Sequence, residues 1–196
     1  MTRDAFVVSA SNEAAMKTLQ AWKASREPLL VICGPKGSGK THIAQMLMAE
    51  LADDGAGAAL IDDIDRLASK TSVLSSAEDA RASGRRLILA GRGEPKEWAA
   101  GLKDLETRIN AAPRITLVEP DEALLRAVMS KVFRDKQLRA SETIADYAAP
   151  RLAKTFAAAQ GFVAALDALS IETGRPIGLK LAREVFDNLS EEAFEA

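Results

Sequence analysis

Over its first 119 residues the chain alternates short, wholly apolar runs with stretches of helical periodicity, and beyond them the apolar runs cease. Ala15, Leu19 and Trp22 recur at helical spacing and predict an amphipathic helix over Asn12–Ser25. Pro28 then forces an extended approach to Leu29–Cys33, an apolar run of the kind buried on both faces of a parallel sheet. A helix is predicted from Lys40 to about Ala52, ended by Asp53-Asp54-Gly55. A second buried strand follows over Ala58–Ile61, closed by Asp62 and Asp63. Further on, the pattern predicts a helix over Ser75–Ser83, a strand over Leu87–Ala90, a short helix over Leu102–Ile109 and a strand over Ile115–Val118 that Pro120 stops.

After Pro120 only helical periodicity remains. Asp121 caps a helix whose Leu124, Leu125, Val128, Met129, Val132 and Phe133 form one apolar stripe. Ser141 caps a second helix, broken by Pro150. Thr155–Thr173 is a third, with Gly174 as its stop signal, and Ile177–Leu189 a fourth. The alanines of the third helix (Ala157–Ala159, Ala164, Ala165, Ala168) suit close helix packing. The fold class expected is therefore α/β, a parallel sheet of about four strands flanked by helices over residues 1–119, followed by a small all-helical subdomain over residues 120–196.

Composition narrows the chemistry. A net charge of −2 supplies no field that would draw the whole protein onto nucleic acid or an anionic membrane. No run approaches the roughly 20 apolar residues of a membrane span, and no signal peptide is evident. A lone cysteine, Cys33, excludes an internal disulfide and fits a cytoplasmic location, and with His42 the only histidine it excludes a zinc cluster. There is no basic stripe interleaved with aromatics; Lys131, Arg134, Lys136 and Arg139 read as a solvated face, and Arg81, Arg85 and Arg86 as solvated flank residues before a strand.

The segment Gly34-Pro35-Lys36-Gly37-Ser38-Gly39-Lys40-Thr41 satisfies the phosphate-loop pattern between a strand-like run and a helix. Its glycines let successive N–H groups curl inward around phosphate, and the following helix adds its positive end. Lys40 is placed to reach the β- and γ-phosphates, and Thr41 offers a hydroxyl to Mg²⁺. The candidate nucleotide-binding set in this segment is Pro35, Lys36, Gly37, Ser38, Gly39, Lys40, Thr41 and His42. In Leu60-Ile61-Asp62-Asp63, Asp62 is the candidate second Mg²⁺ partner. Asp63 is the candidate for polarising a water, its alternative being a solvated loop acid like Asp65.

Gly34–His42 followed by Leu60–Asp65 resembles the AAA+ ATPase core of the bacterial replication initiator DnaA, and more so that of the DnaA-related regulators of the Hda type. The resemblance implies that Phe6–Asn12, with Val7, Val8 and Asn12, packs against adenine. It implies that Asp104–Ile109 carries an arginine finger, Arg108, acting in trans on nucleotide held by DnaA or another AAA+ subunit, and that the helical tail is a lid. The chain departs from the family in several places. Only 22 positions separate Lys40 from Asp62, so one strand and helix of the family are missing. A polar sensor residue expected after the third strand falls near Arg92. The lid arginine falls at Ala157, with Lys154 as an imperfect substitute. No helix-turn-helix DNA reader and no glutamine-leucine-rich clamp-docking sequence is found.

The expected function is thus a protein binding ATP or ADP with Mg²⁺ that regulates bacterial replication initiation through DnaA or self-association, with any ATPase activity weak or partner-stimulated. The alternatives are a non-catalytic nucleotide-binding adaptor and a stand-alone ATPase or small-molecule kinase.

Overall fold

The structure, a computed structural model, describes residues 13–55 and 57–192, with side-chain detail as far as 188. The chain divides after Glu119 into two compact units.

In the first unit four strands, β1 (Leu29–Cys33), β2 (Ala58–Ile61), β3 (Arg86–Gly91) and β4 (Arg114–Thr116), form one parallel sheet in the order β2-β3-β1-β4. The helices are α1 (Glu13–Ala24), α2 (Lys40–Asp53), α3 (Lys70–Ser83) and α4 (Lys103–Ala111). Because successive side chains on a strand point to opposite faces, β1 feeds two cores. Leu30 and Ile32 join Ile88, Ala90 and Ile115 beneath α1 and α2, around Leu19, Trp22, Ile43 and Leu47. Leu29, Val31 and Cys33 join Leu87 and Leu89 on the other face, around Val73 and Ala77 of α3 and Leu105 and Ile109 of α4. Cys33 is buried there, its thiol 3.4 Å from the Thr116 hydroxyl, and acts as a packing residue.

Three expectations change. β2 is not buried on both faces: its residues are half-buried or exposed, because the sheet order puts it at an edge, paired to β3 alone. α3 begins at Lys70, five residues before the predicted start, with the Ser69 hydroxyl accepting from the Ser72 N–H; the polar first turn hid it from periodicity. Arg86 is no solvated flank residue. Its guanidinium donates to the carbonyls of Trp22 (3.2 Å), Lys23 (3.4 Å), Ser25 (2.6 Å) and Glu27 (2.6 Å), closing the C-terminal end of α1 and the turn into β1.

The second unit holds α5 (Glu122–Asp135), α6 (Glu142–Ala148), α7 (Phe156–Thr173) and α8 (Leu179–Glu192). The Asp121 carboxylate accepts from the Leu124 N–H and the Thr155 hydroxyl from the Ala158 N–H, so both helices start on side-chain caps. The stripe on α5 is inward: Leu125, Met129 and Phe133 pack with Ile144, Ala148, Phe162, Val163, Leu166 and Val185. Of the α7 alanines Ala159 is buried and Ala165 packs against the core, but Ala157, Ala164 and Ala168 are exposed, since an 18-residue helix of nearly uniform hydrophobicity can bury only one stripe. Of the basic residues here, Lys131 pairs with Asp135 one turn on, and Lys136, just past α5, with Asp167 of α7. No helix among the described residues is long and apolar enough to cross a membrane.

Candidate functional site

The chain leaves β1 and turns at once into residues 34–39. Here glycine is required by space: a Cβ on Gly34 would lie 2.6 Å from the Leu117 carbonyl oxygen and 2.9 Å from Ser38 Oγ. Gly37 (φ 79°) and Gly39 (φ 92°) take the left-handed conformation that curls the loop and lets α2 start directly beyond it. Ser38 is buried and its hydroxyl donates to the Pro35 carbonyl at 2.9 Å, an internal strut. Pro35 and Lys36 are exposed, and His42 is half-buried in the first turn of α2.

Lys40 is 6% exposed, unusual for an ammonium, and donates to the carbonyls of Gly34 (3.0 Å) and Pro35 (2.8 Å). Two of its three N–H donors are thus spent on the loop's own backbone. Burial, and then the charge of Arg92, hold the amine below the ordinary lysine value, against the upward pull of Asp62, Asp63 and Asp65.

Opposite the loop, β2 ends in Asp62. Its strand does not touch β1, for β3 lies between. The registers end β1 and β3 level, Cys33 opposite Gly91, and β2 two positions short, Ile61 opposite Leu89; the Thr41 hydroxyl nevertheless donates to Asp62 Oδ2 at 2.6 Å. The other carboxylate oxygen accepts from the Asp63 N–H at 2.9 Å. Asp63 adopts left-handed backbone (φ 47°, ψ 39°), a strain costing about 1 kcal/mol for a non-glycine residue. Its exposed side chain stands at the turn into the single 3-10 turn Ile64–Arg66.

Asp65 is not a solvated acid. It accepts the backbone N–H of Arg92 at 2.9 Å, while the Trp98 indole donates to the Arg92 carbonyl at 2.6 Å, so the turn after β3 is clamped from both sides. Gly91 sits in this clamp, where a Cβ would meet Ile64 Cγ2 at 2.7 Å and Trp98 Cε2 at 3.0 Å. Neither the 3-10 turn that carries Ile64 nor the one over Pro95–Ala99 that buries Trp98 has a periodicity long enough to read from sequence.

Of the other predicted residues, two belong to other elements and three are not described. Arg108, on α4, is partly buried and donates to Glu78 of α3 at 3.0 Å. Lys154 is an exposed residue of the second unit, on the bend before Thr155. Val7, Val8 and Asn12 lie outside the described residues. Thr41 and Asp62 together offer a divalent ion one hydroxyl and one carboxylate. No group of three His, Cys, Asp or Glu side chains among the described residues forms a metal cage. An ion held by that pair would draw its remaining ligands from phosphate and water, as magnesium does.

Comparison with known proteins gives the same fold. The sequence profile of the family described as nSTAND3, novel STAND NTPase 3, matches residues 6–78, a stretch containing the loop and the Asp62 turn. Domain III of the replication initiation protein DnaA from Thermotoga maritima superposes with a TM-score of 0.76 at 19% identity, over 94% of this chain and 95% of that one. The Thermotoga maritima RuvB Holliday junction branch migration motor gives 0.67 at 13% identity, over 91% of this chain and 68% of that one. A DNA replication initiation factor gives 0.70 at 15% identity, over 85% and 64%. No curated protein sequence matches the chain.

Proposed function

We propose, with the AAA+ P-loop fold of DnaA domain III as the premise, that the chain binds ATP or ADP with Mg²⁺ on residues 34–42. We propose further that it regulates bacterial replication initiation by associating, in a nucleotide-dependent way, with DnaA or with another AAA+ subunit. The observation that carries the binding proposal is the 2.6 Å contact between Thr41 and Asp62. A hydroxyl from the loop's helix and a carboxylate from the end of a strand two places away meet, and together they would hold a magnesium ion. Lys40 neutralises phosphate charge, and the N–H groups of Gly37–Thr41 and the positive end of α2 hold the oxyanions. A magnesium ion held there would supply charge neutralisation. Asp63, in its strained turn, is the acid proposed to orient water, and Lys154 is the proposed lid cation.

The test is a calorimetric titration with ADP and with a non-hydrolysable ATP analogue, with and without Mg²⁺. Wild-type protein should bind more tightly with magnesium, and Asp62→Asn should bind equally with and without it. If magnesium strengthens binding to Asp62→Asn as much as to wild type, Asp62 does not hold the ion.

Turnover is proposed to depend on a second subunit, with Arg108 as the group delivered. The Glu78 pair would have to open first, and with Glu78 exposed and Arg108 only partly buried the pair is worth little. In a mixture with DnaA, Arg108→Ala should retain nucleotide binding yet lose any stimulation of hydrolysis; stimulation equal to wild type would refute this role. A nucleotide-binding adaptor without turnover is the second reading. It is favoured by the same Arg108–Glu78 pair, which keeps the arginine within its own subunit.

A further inference from the structure

We propose that the chain carries a second ligand site, a basic cleft at the opposite end of the sheet from the phosphate loop, which takes a small hydroxyl-bearing phosphate monoester of the sugar phosphate class. The site stands apart from the nucleotide reading above and does not depend on it.

Position and charge carry the inference. The phosphate loop follows the last residue of β1. At the other border, where β1 and β3 begin, α1 ends, residues 25–28 turn into β1, and α3 ends at Ser83. Among these ends lies a cleft of about 610 Å³, within the size range of small-molecule sites. Three guanidinium groups line it, those of Arg26, Arg81 and Arg86, against one carboxylate, that of Glu27. Arg86 is the half-buried member. Its terminal N–H groups are spent on the carbonyls of Trp22, Lys23, Ser25 and Glu27. It therefore contributes charge, and it occupies the backbone oxygens that would otherwise repel an anion at the end of α1. Arg26 and Arg81 are exposed, and neither has a hydrogen bond or an ion pair among the described residues. Their donor forks are open to a ligand.

The class of ligand follows from the balance. Three cations less one carboxylate leave two positive charges in the cleft. A phosphate monoester carries about −1.5 to −2 at neutral pH, and its oxygens suit two guanidinium forks. A single carboxylate would leave one of those charges unanswered. A bare phosphate would leave most of the cleft empty. The Glu27 carboxylate, also without a partner among the described residues, is an acceptor for ligand hydroxyls, and Pro28 gives a sugar ring an apolar wall. Because Arg26 and Arg81 are exposed, salt screens the attraction and affinity falls as ionic strength rises.

The test is calorimetric titration of the whole chain at low salt, without nucleotide, using ribose 5-phosphate, inorganic phosphate and ribose. Wild type should bind ribose 5-phosphate more tightly than inorganic phosphate and should not bind ribose. Arg26→Ala and Arg81→Ala should each lose roughly tenfold toward ribose 5-phosphate, the lower end of what a hydrogen bond to a charged group is worth. Glu27→Ala should lose the preference for ribose 5-phosphate over inorganic phosphate. Lys40→Ala should still bind ribose 5-phosphate, which separates the cleft from the phosphate loop. Both arginines are exposed and tied to no described residue, so melting temperatures without ligand should match wild type. Should an alanine variant fold poorly, Arg26→Gln and Arg81→Gln decide the point in its place. Four results overturn the inference: no binding by wild type, full binding by the arginine variants, loss of binding in Lys40→Ala, or equal affinity for ribose 5-phosphate and inorganic phosphate, which means an adventitious ion only. None of them bears on nucleotide binding, which the magnesium titrations above decide separately.

Discussion

Replacing Lys40 by alanine should weaken nucleotide binding by about a hundredfold or more, the loss that follows when one member of a buried, hydrogen-bonded charge pair is removed. The expectation comes from burial. An exposed lysine would be screened, but this one is 6% exposed and already desolvated, so its attraction to phosphate is little diluted by water. The fold should tolerate the change, because the side chain leaves only the Gly34 and Pro35 carbonyls, at the loop surface, to be taken up by water. The same lysine makes binding pH-dependent with a definite sign. Its amine titrates below the ordinary value of 10.5, chiefly through burial and then through Arg92. Phosphate favours the charged amine, so binding takes up a proton on the alkaline side. Affinity should be full while the amine is charged and should fall as pH rises through the lowered value, before 10.5 is reached. Calorimetry across alkaline pH would show a decline in wild type and a flat profile in Lys40→Ala. Equal affinities for the two proteins at neutral pH would remove Lys40 from the site.

Truncating Trp22 to alanine should cost the fold about 3–5 kcal/mol, against an expected total stability of about 5–15 kcal/mol for a domain. Trp22 is 1% exposed, on the face of α1 that meets the sheet, and packs with Leu30, Ile88 and Ile115. Arg86 lies over its ring, 4.7 Å from the centroid, while donating to the Trp22 carbonyl. Removing the ring opens a cavity and strips the guanidinium of its platform. Phenylalanine should cost far less, because the indole Nε1 is buried with no partner and nothing is lost when it goes. Urea denaturation of Trp22→Ala and Trp22→Phe would separate the two effects. Equal midpoints for both variants would mean that packing is not what the ring contributes.

The alternation of apolar runs and helices is enough to place every described strand, and the central runs β1 and β3 carry the buried signature of a sheet covered on both sides, whereas edge strand β4 buries only Ile115. β2 was found for the same reason, but its edge position was not legible, since Ala58–Ile61 is as apolar as a central strand and only the pairing order exposes it. The phosphate loop was legible because steric demands on Gly34, Gly37 and Gly39 leave few sequences that fit. The partners that complete the cluster were not. Asp65 reads as one more loop acid, and only folding brings it 27 positions onward to the Arg92 N–H. Arg108 is singled out in the sequence only by the resemblance of its segment, and its bond to Glu78, 30 positions away, has no local signal. Such pairs depend on crossovers whose lengths are visible and whose geometry is not.

The edge position of β2 has a consequence for how the architecture can grow. One side of β2 holds β3 and so fixes Asp62 relative to the loop; its other side has no strand partner among the described residues. A strand and helix inserted between α2 and β2 could therefore add at that open side as an outboard layer. The loop, Thr41 and Asp62 would keep their spacing, because none of their registers passes through the addition. Size can thus vary at this border while the chemistry stays still, and the short link after Asp53 is the place where a longer relative would be spliced.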